Sequence, residues 1–426
     1  MKLFVRKNVK YILVMLALVI ISVTVHLNLN IFNERFAMQL RMFPLFQKAH
    51  PILEANRSET KFTVLLWTPW YGSTKLATSG YFRPNECANE YVVISNKSLL
   101  HQADAVIFQY VDLRSMGLTD LPTTRNQSVP WILALQESPI NLGTLKSNVV
   151  DGLFDFTWSM RSDSEIHPEF VEMFEKYEEP DRKWIYGSNF SYQFISNKTK
   201  IAAWVVSAGC STSPSKRDAL AAELATHGVP IDIYGRCGPL NCAQGESCFE
   251  RLGQKYLFYM AFENSLCVDY ITEKPSHGWF HNMVPVIYAL GKKETFAPPN
   301  SYIDALEFET VEKLAAYLKF LDENPKEYFK YFEWRSVYNL TSSVHSSYHC
   351  QIFRKIKKVT ETLRGTNSSL HYGRRNKYGK LSQWFFSFYN SALKMQCQNC
   401  LKPSEVNVTH LNQNKLNVFN RSSRCI

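Results

Sequence analysis

From Lys61 onward the chain alternates short, unbroken apolar runs with longer polar stretches. The runs are FTVLLW (62–67), ADAVIFQY (103–110), WILAL (131–135), AAWVV (202–206), PIDIY (230–234), YLFYMAF (256–262) and VPVIYAL (284–290). They lack the every-second-residue alternation of a strand with one wet face, and so predict parallel strands covered on both sides. Between the later runs the periodicity becomes helical. SPSKRDALAAELATHG (213–228) places Leu220 and Leu224 on one face, with Pro214 near its start and Gly228 as a stop. TVEKLAAYLKFLDEN (310–324) repeats Leu314, Leu318 and Leu321 at helical intervals. Strand–helix–strand alternation over 201–336 predicts a Rossmann-like half, and the less regular 61–200 a second α/β half. Ligand is then expected in the crevice at the carboxyl ends of the strands.

A chain of 426 residues exceeds one small core, and its composition is globular. The N-terminal residues differ from the rest. Residues 1–10 carry Lys2, Arg6, Lys7 and Lys10, and residues 11–29 have no fixed charge. That run is long enough to cross a bilayer as a helix, with the basic flank kept cytosolic. The alternative is a cleaved signal peptide, but no small-residue cleavage site follows. The expected organisation is a cytosolic tail (1–10), a signal anchor (11–29), a stem (30–60), two α/β domains (61–200 and 201–365) and a polar tail (366–426), either wrapped onto the body or loose. The net charge of +10 points to anionic partners. Membrane and phosphate-bearing substrates both qualify; no nucleic-acid signature is present.

Sequons at Asn56, Asn96, Asn126, Asn189, Asn197, Asn339, Asn367, Asn407 and Asn420 favour a secretory route. The ten cysteines fit an oxidising compartment. Zinc ligation by CGPLNCAQGESC (Cys237, Cys242, Cys248) or CQNC (Cys397, Cys400) is the competing reading, but the first segment lacks paired CxxC spacing and the second has no matching pair nearby, so disulfides are preferred.

The candidate chemistry lies in FENSLCVDYITEKPSHGW (262–279), where Glu263, Asp269, Glu273 and Lys274 abut a core strand. Pro275 disfavours helical dihedrals at Lys274 and suits a first helical turn, so a helix is predicted to begin just after the lysine. Its N–H groups and the ammonium would favour phosphate, and the Glu273 carboxylate a ribose diol. A charged loop, with Glu273 as a cap and Lys274 solvated, explains the same residues. No GxGxxG, Walker loop, HExxH or DxD-type pair is present.

KIAAWVVSAGCSTSPSKRDAL, IDIYGRCG, FYMAFENSLCVDYITEK and FAPPNSYIDALEFETVEKLAAYLKFLDENPKEYFKYFEWR, together with ADAVIFQY and ALQESP, resemble the alpha-1,3-fucosyltransferase family. The likeness is nearly continuous over 200–336 and patchier over 61–200; the cysteine-bearing insert is most similar to that of invertebrate members acting on N-glycans. The resemblance implies a GT-B enzyme that transfers L-fucose from GDP-fucose with inversion to N-glycans or related oligosaccharides, on the luminal side of the Golgi membrane. It implies that Glu137 is the base, that Arg217 and Lys274 contact the diphosphate, that Glu273 holds the ribose, and that Asn264 and Tyr270 surround the fucose and phosphates. Tyr234 would approach the guanine, or serve as a core tyrosine. No metal is required, though Mn or Mg can stimulate, and homo-oligomerisation is left open. The chain departs from the family at Ala208, at Ala289–Leu290 and over PSHGWFHNM after Lys274. These departures motivate two alternatives: a weakened paralogue that binds glycan or GDP-sugar without turnover, and a transferase of the same fold using another donor.

Overall fold

The structure is a computed structural model. It describes residues 61–74, 82, 87–116, 120–142, 150–167, 174–179, 195, 197–242, 246–291, 293–340, 347–365, 381–386, 389–390, 395–396, 400–401 and 403–415. The expected anchor and stem lie outside the described residues.

Two five-stranded sheets form the framework, each wholly parallel. The first contains β1 (Phe62–Leu66), β2 (Tyr91–Ile94), β3 (Ala105–Gln109), β4 (Trp131–Leu135) and β5 (Phe156–Ser159), in spatial order β2-β1-β3-β4-β5. After β6 (Phe174–Lys176), the second contains β7 (Lys200–Val205), β8 (Ile231–Tyr234), β9 (Tyr256–Phe262), β10 (Val284–Tyr288) and β11 (Ile303–Asp304), in order β11-β10-β9-β7-β8. Every predicted run supplies a strand. Every residue of β3, β4, β9 and β10 is buried, as expected of strands roofed on both faces.

The helices are those the periodicity requires, with shorter ends. Arg217–Thr226 buries Leu220 and Leu224; Val311–Glu323 buries Leu314, Leu318 and Leu321 and is capped by Thr310, whose side chain accepts from the Lys313 N–H. Both cover one face of the second sheet, against Trp204, Phe258, Met260 and Val286. The other face packs on Leu252, Trp279 and Trp334.

The chain then returns to its beginning. Helix Ser347–Gly365 places Ile352, Phe353, Ile356 and Leu363 against Val64, Ile107, Ile132 and Phe156 of the first sheet. The Cys87–Cys350 disulfide fastens it there. Beyond it, Leu381 and Phe385 cover the opposite face of the first sheet, while Leu401, Val406 and Leu411 join the core of the second. These parts of the tail are wrapped onto both halves.

Candidate active site

Each sheet reverses its strand order once, and a crevice opens there. In the second sheet, β8 lies on one side of β7 and β9 on the other, so the loops after β7 and β9 diverge. Arg217 bridges that gap. Its guanidinium donates from Nη1 to the Phe262 carbonyl at 3.0 Å and from Nη2 to the Ala208 carbonyl, while Nε is buried without a hydrogen-bond partner among the described residues. Burial lowers its pKa; Glu263 and Asp218 act in the opposite sense. The neighbouring Lys216 instead reaches the Val406 carbonyl at 3.1 Å.

The loop after β9 is organised around Glu263, whose side chain is fully buried. Its Oε1 accepts from the Thr272 N–H at 2.8 Å and the Thr272 hydroxyl at 2.7 Å, and its Oε2 from Lys274 Nζ at 2.7 Å. Lys274 also donates to the Thr272 hydroxyl, and Glu273 Oε1 stands 3.8 Å from its ammonium. Burial alone would lower the Lys274 pKa, but Glu263 and Glu273 outweigh it and the ammonium is held above its ordinary range. For Glu273 desolvation pushes upward, yet Lys274 and His277 hold the carboxyl below the usual carboxylate range.

The helix spans Lys274–Phe280, starting at the lysine rather than after it, and Glu273 makes no side-chain cap. At seven residues it is too short for a strong macrodipole, so the side chains carry most of the charge here. Gly278 has a steric purpose that the sequence did not reveal. A Cβ there would lie 3.0 Å from Pro285 Cβ and Cδ and 3.1 Å from the Met283 carbonyl, so its absence lets the helix lie close to β10.

Across the crevice, Glu137 follows β4 and precedes the short helix Pro139–Leu142. Burial raises its pKa, and Glu273 adds to the rise; Lys274 and hydrogen bonds from Tyr270 and Asn141 pull it back. The loop that carries Lys274 meets this segment directly. Tyr270 Oη donates to Glu137 Oε2 at 3.3 Å, and the Ser138 hydroxyl donates to that of Ser265 at 2.8 Å. Asp269, in the left-handed region at φ 59°, accepts from the Ser162 N–H at 3.1 Å and hydroxyl at 2.6 Å. Asn264 sits within the join: its carbonyl accepts from the Ser215 N–H and its Oδ1 from the Ser265 hydroxyl.

Glu137, Arg217, Asn264, Tyr270, Glu273 and Lys274 therefore converge on one region. Tyr234 is engaged elsewhere, its hydroxyl paired at 2.8 Å with that of Tyr256, which in turn donates to Asp232. Sequence reasoning gave no role to Glu263, although a carboxylate directly after seven apolar residues is a strong hint. It also passed over the switch point of the first sheet, between β1 and β3. There the Gln109 N–H donates to the Thr68 hydroxyl at 2.8 Å and the Gly72 N–H to Asp112 Oδ1 at 2.6 Å. Gln109 Nε2 and Asp112 Oδ2 are buried without hydrogen-bond partners among the described residues, and burial raises the Asp112 pKa.

Two family models match the chain. The model of the fucosyltransferase N-terminal domain matches residues 59–171, and that of the glycosyltransferase family 10 (fucosyltransferase) C-terminal domain matches 195–384. Alpha-(1,3)-fucosyltransferase C of Drosophila melanogaster is 34% identical over 319 residues, covering 69% of this chain and 73% of the relative. The chain belongs to glycosyltransferase family 10, the fucosyltransferases. Alpha-(1,3)-fucosyltransferase fut-1 of Caenorhabditis elegans is 35% identical over 240 residues, 56% of this chain and 52% of that protein. A solved alpha1,3-fucosyltransferase with GDP aligns over 74% of this chain and 94% of its own, with 15% identity and a TM-score of 0.46.

In this fucosyltransferase the disulfides join Cys87–Cys350, Cys210–Cys237, Cys242–Cys248 and Cys267–Cys400. Both segments considered as zinc ligands thus supply disulfide partners, while Cys397 lies outside the described residues. Among the described residues no group of three or more His, Cys, Asp or Glu could hold a metal ion. Asn96, Asn126, Asn197 and Asn339 are exposed and Asn407 is half-buried. Asn56, Asn189, Asn367 and Asn420 lie outside the described residues, as does the expected membrane span; among the described residues no helix is long and apolar enough to cross a membrane.

Proposed function

We propose that this fucosyltransferase is an inverting alpha-1,3 enzyme of GT-B architecture, transferring L-fucose from GDP-fucose to an N-acetylglucosamine-type residue of an N-glycan or related oligosaccharide. The observation that carries the reading is the meeting of Glu137 from the first half with Tyr270, Arg217 and the Glu273–Lys274 pair from the second. Inverting transfer needs a base on the acceptor side and positive charge on the leaving-group side. Glu137 takes the proton of the acceptor hydroxyl while that oxygen bonds to C1 of fucose. The bond from C1 to the β-phosphate oxygen breaks, and GDP departs with its charge held by Arg217 and Lys274. Glu273, whose side chain is exposed and makes no helix cap, receives the ribose hydroxyls.

The surroundings of Ala208 and Ala289–Leu290 support a working donor site. Ala208 contributes only its carbonyl to Arg217, and Ala289 and Leu290 are buried. The enzyme is placed in the Golgi as a single-pass type II protein. Supporting that placement are the apolar run at 11–29, the sequons and the disulfides.

The test is the full chain in detergent, supplied with GDP-fucose and core, antennal or free oligosaccharide acceptors, with product linkage mapped. An alpha-1,3 fucosylated product is expected. GDP binding without fucosylation of any acceptor would overturn the enzymatic reading, and turnover only with another sugar nucleotide would overturn the donor. Protease protection in microsomes tests the topology, a luminal body being the expected result.

A further inference from the structure

We infer that Glu263 is a positioning residue of the donor site, holding the Lys274 ammonium in line with Arg217 so that a diphosphate finds both cations already in place. The inference deepens the proposed function and rests on its assignment of Lys274 to the diphosphate.

The geometry is that of a built support. Glu263 directly follows β9, every residue of which is buried, and its N–H donates to the Tyr288 carbonyl of β10 at 3.1 Å. Its own carbonyl accepts from the Ser215 hydroxyl at 2.6 Å, just before the Arg217 helix. With backbone and side chain both fixed, the carboxylate can receive Lys274 in only one place. Thr272 completes the arrangement, donating its hydroxyl to Glu263 and accepting from Lys274.

Charge explains why such a support is needed. The groups facing Lys274 are Glu263 at the end of β9, Glu273 beside it, Arg217 from the helix after β7 and Glu137 from the first half. Arg217 repels the ammonium, while Glu273 beside it and Glu137 across the crevice attract it from other directions. A buried carboxylate offsets one of the two neighbouring positive charges before donor arrives, whereas two buried cations with no counter-charge would be costly. Lys274 keeps part of its surface open, 21% of the side chain, through which a phosphate oxygen can approach. Glu263 is fully covered and offers no surface to a substrate.

The test measures binding of GDP and of guanosine to Glu263→Gln in the full chain, with folding followed by circular dichroism. Loss of one charge-assisted contact should weaken GDP by about tenfold and leave guanosine unchanged. The alkaline loss of GDP affinity, set by deprotonation of Lys274, should move to lower pH by about one unit, the effect of a nearby opposite charge removed. In a Lys274→Met background the Glu263→Gln change should add nothing. Glu263→Asp should restore part of the affinity. Thr272→Val provides a second perturbation if Glu263→Gln fails to fold, with GDP weakened and guanosine unchanged. Wild-type GDP affinity and an unmoved alkaline limb in folded Glu263→Gln, or equal loss of GDP and guanosine, would overturn the inference while leaving the proposed function standing. Failure of the wild-type chain to bind GDP would overturn both.

Discussion

Replacing Tyr270 by phenylalanine tests the pairing of the two halves at a single atom. The hydroxyl donates to Glu137 Oε2 at 3.3 Å, toward the long end of hydrogen bonding, and it favours the ionised carboxylate. Hydrogen bonds to charged groups contribute about 1.5–3 kcal/mol when well made, and this length argues for about 1 kcal/mol or less. One pKa unit corresponds to about 1.4 kcal/mol, so Tyr270→Phe should raise the Glu137 pKa by about half a unit. The sign follows from the role of the group. Glu137 accepts a proton and works only when ionised; its pKa already lies above the usual value because of burial. Activity therefore falls as pH drops through that raised pKa, and the variant should lose activity at a higher pH than wild type. The assay is kcat/KM for acceptor across the acid limb at saturating GDP-fucose, with GDP affinity measured in parallel. Glu137→Gln is the companion, expected to lower kcat by about 10²–10⁴ with GDP affinity preserved. The reasoning is refuted if the Tyr270→Phe limb stays in place or moves down, or if Glu137→Gln retains the wild-type rate.

Gly278→Ala should destabilise by about 1–3 kcal/mol despite the better helix propensity of alanine, because the new methyl meets Pro285 and the Met283 carbonyl; a raised Tm would contradict the close packing. Removing the Cys87–Cys350 bond by a double serine substitution should cost about 2–5 kcal/mol in urea unfolding and loosen the Ser347–Gly365 helix from the first sheet. Undiminished protection of that helix in hydrogen exchange would count against the prediction. Leu318→Ala, in a fully buried position between the Val311–Glu323 helix and the second sheet, should cost about 2–5 kcal/mol; a loss below about 1 kcal/mol would show that the site collapses readily.

The apolar runs made most of the parallel framework legible, because a strand covered on both faces must be apolar throughout. β2 and β5 were harder to see. Each has only four residues, and β5 contains Thr157 and Ser159, buried polar residues whose hydrogen-bond partners lie in a neighbouring turn. The Lys274 loop was recognisable as a site because charge crowds the end of a core strand. What no local pattern could supply was the distance between Glu137 and Tyr270, which are 133 positions apart and meet only because the second sheet presents its loop to the first. The helix at 347–365 had the same difficulty: its partners are at the other end of the chain.

That returning helix has a consequence for synthesis on the ribosome. Cys350 emerges 263 positions after Cys87, so the first sheet is complete long before its roofing helix exists. At about 5–20 residues per second, the wait from the end of β5 at Ser159 to the start of the helix at Ser347 is on the order of 10–40 seconds. During that interval Val64, Ile107, Ile132 and Phe156 have no covering helix, and Cys87 has no native partner. Nascent chains stalled before residue 347 should therefore be held by chaperones and form non-native mixed disulfides through Cys87, and those released after residue 365 should not.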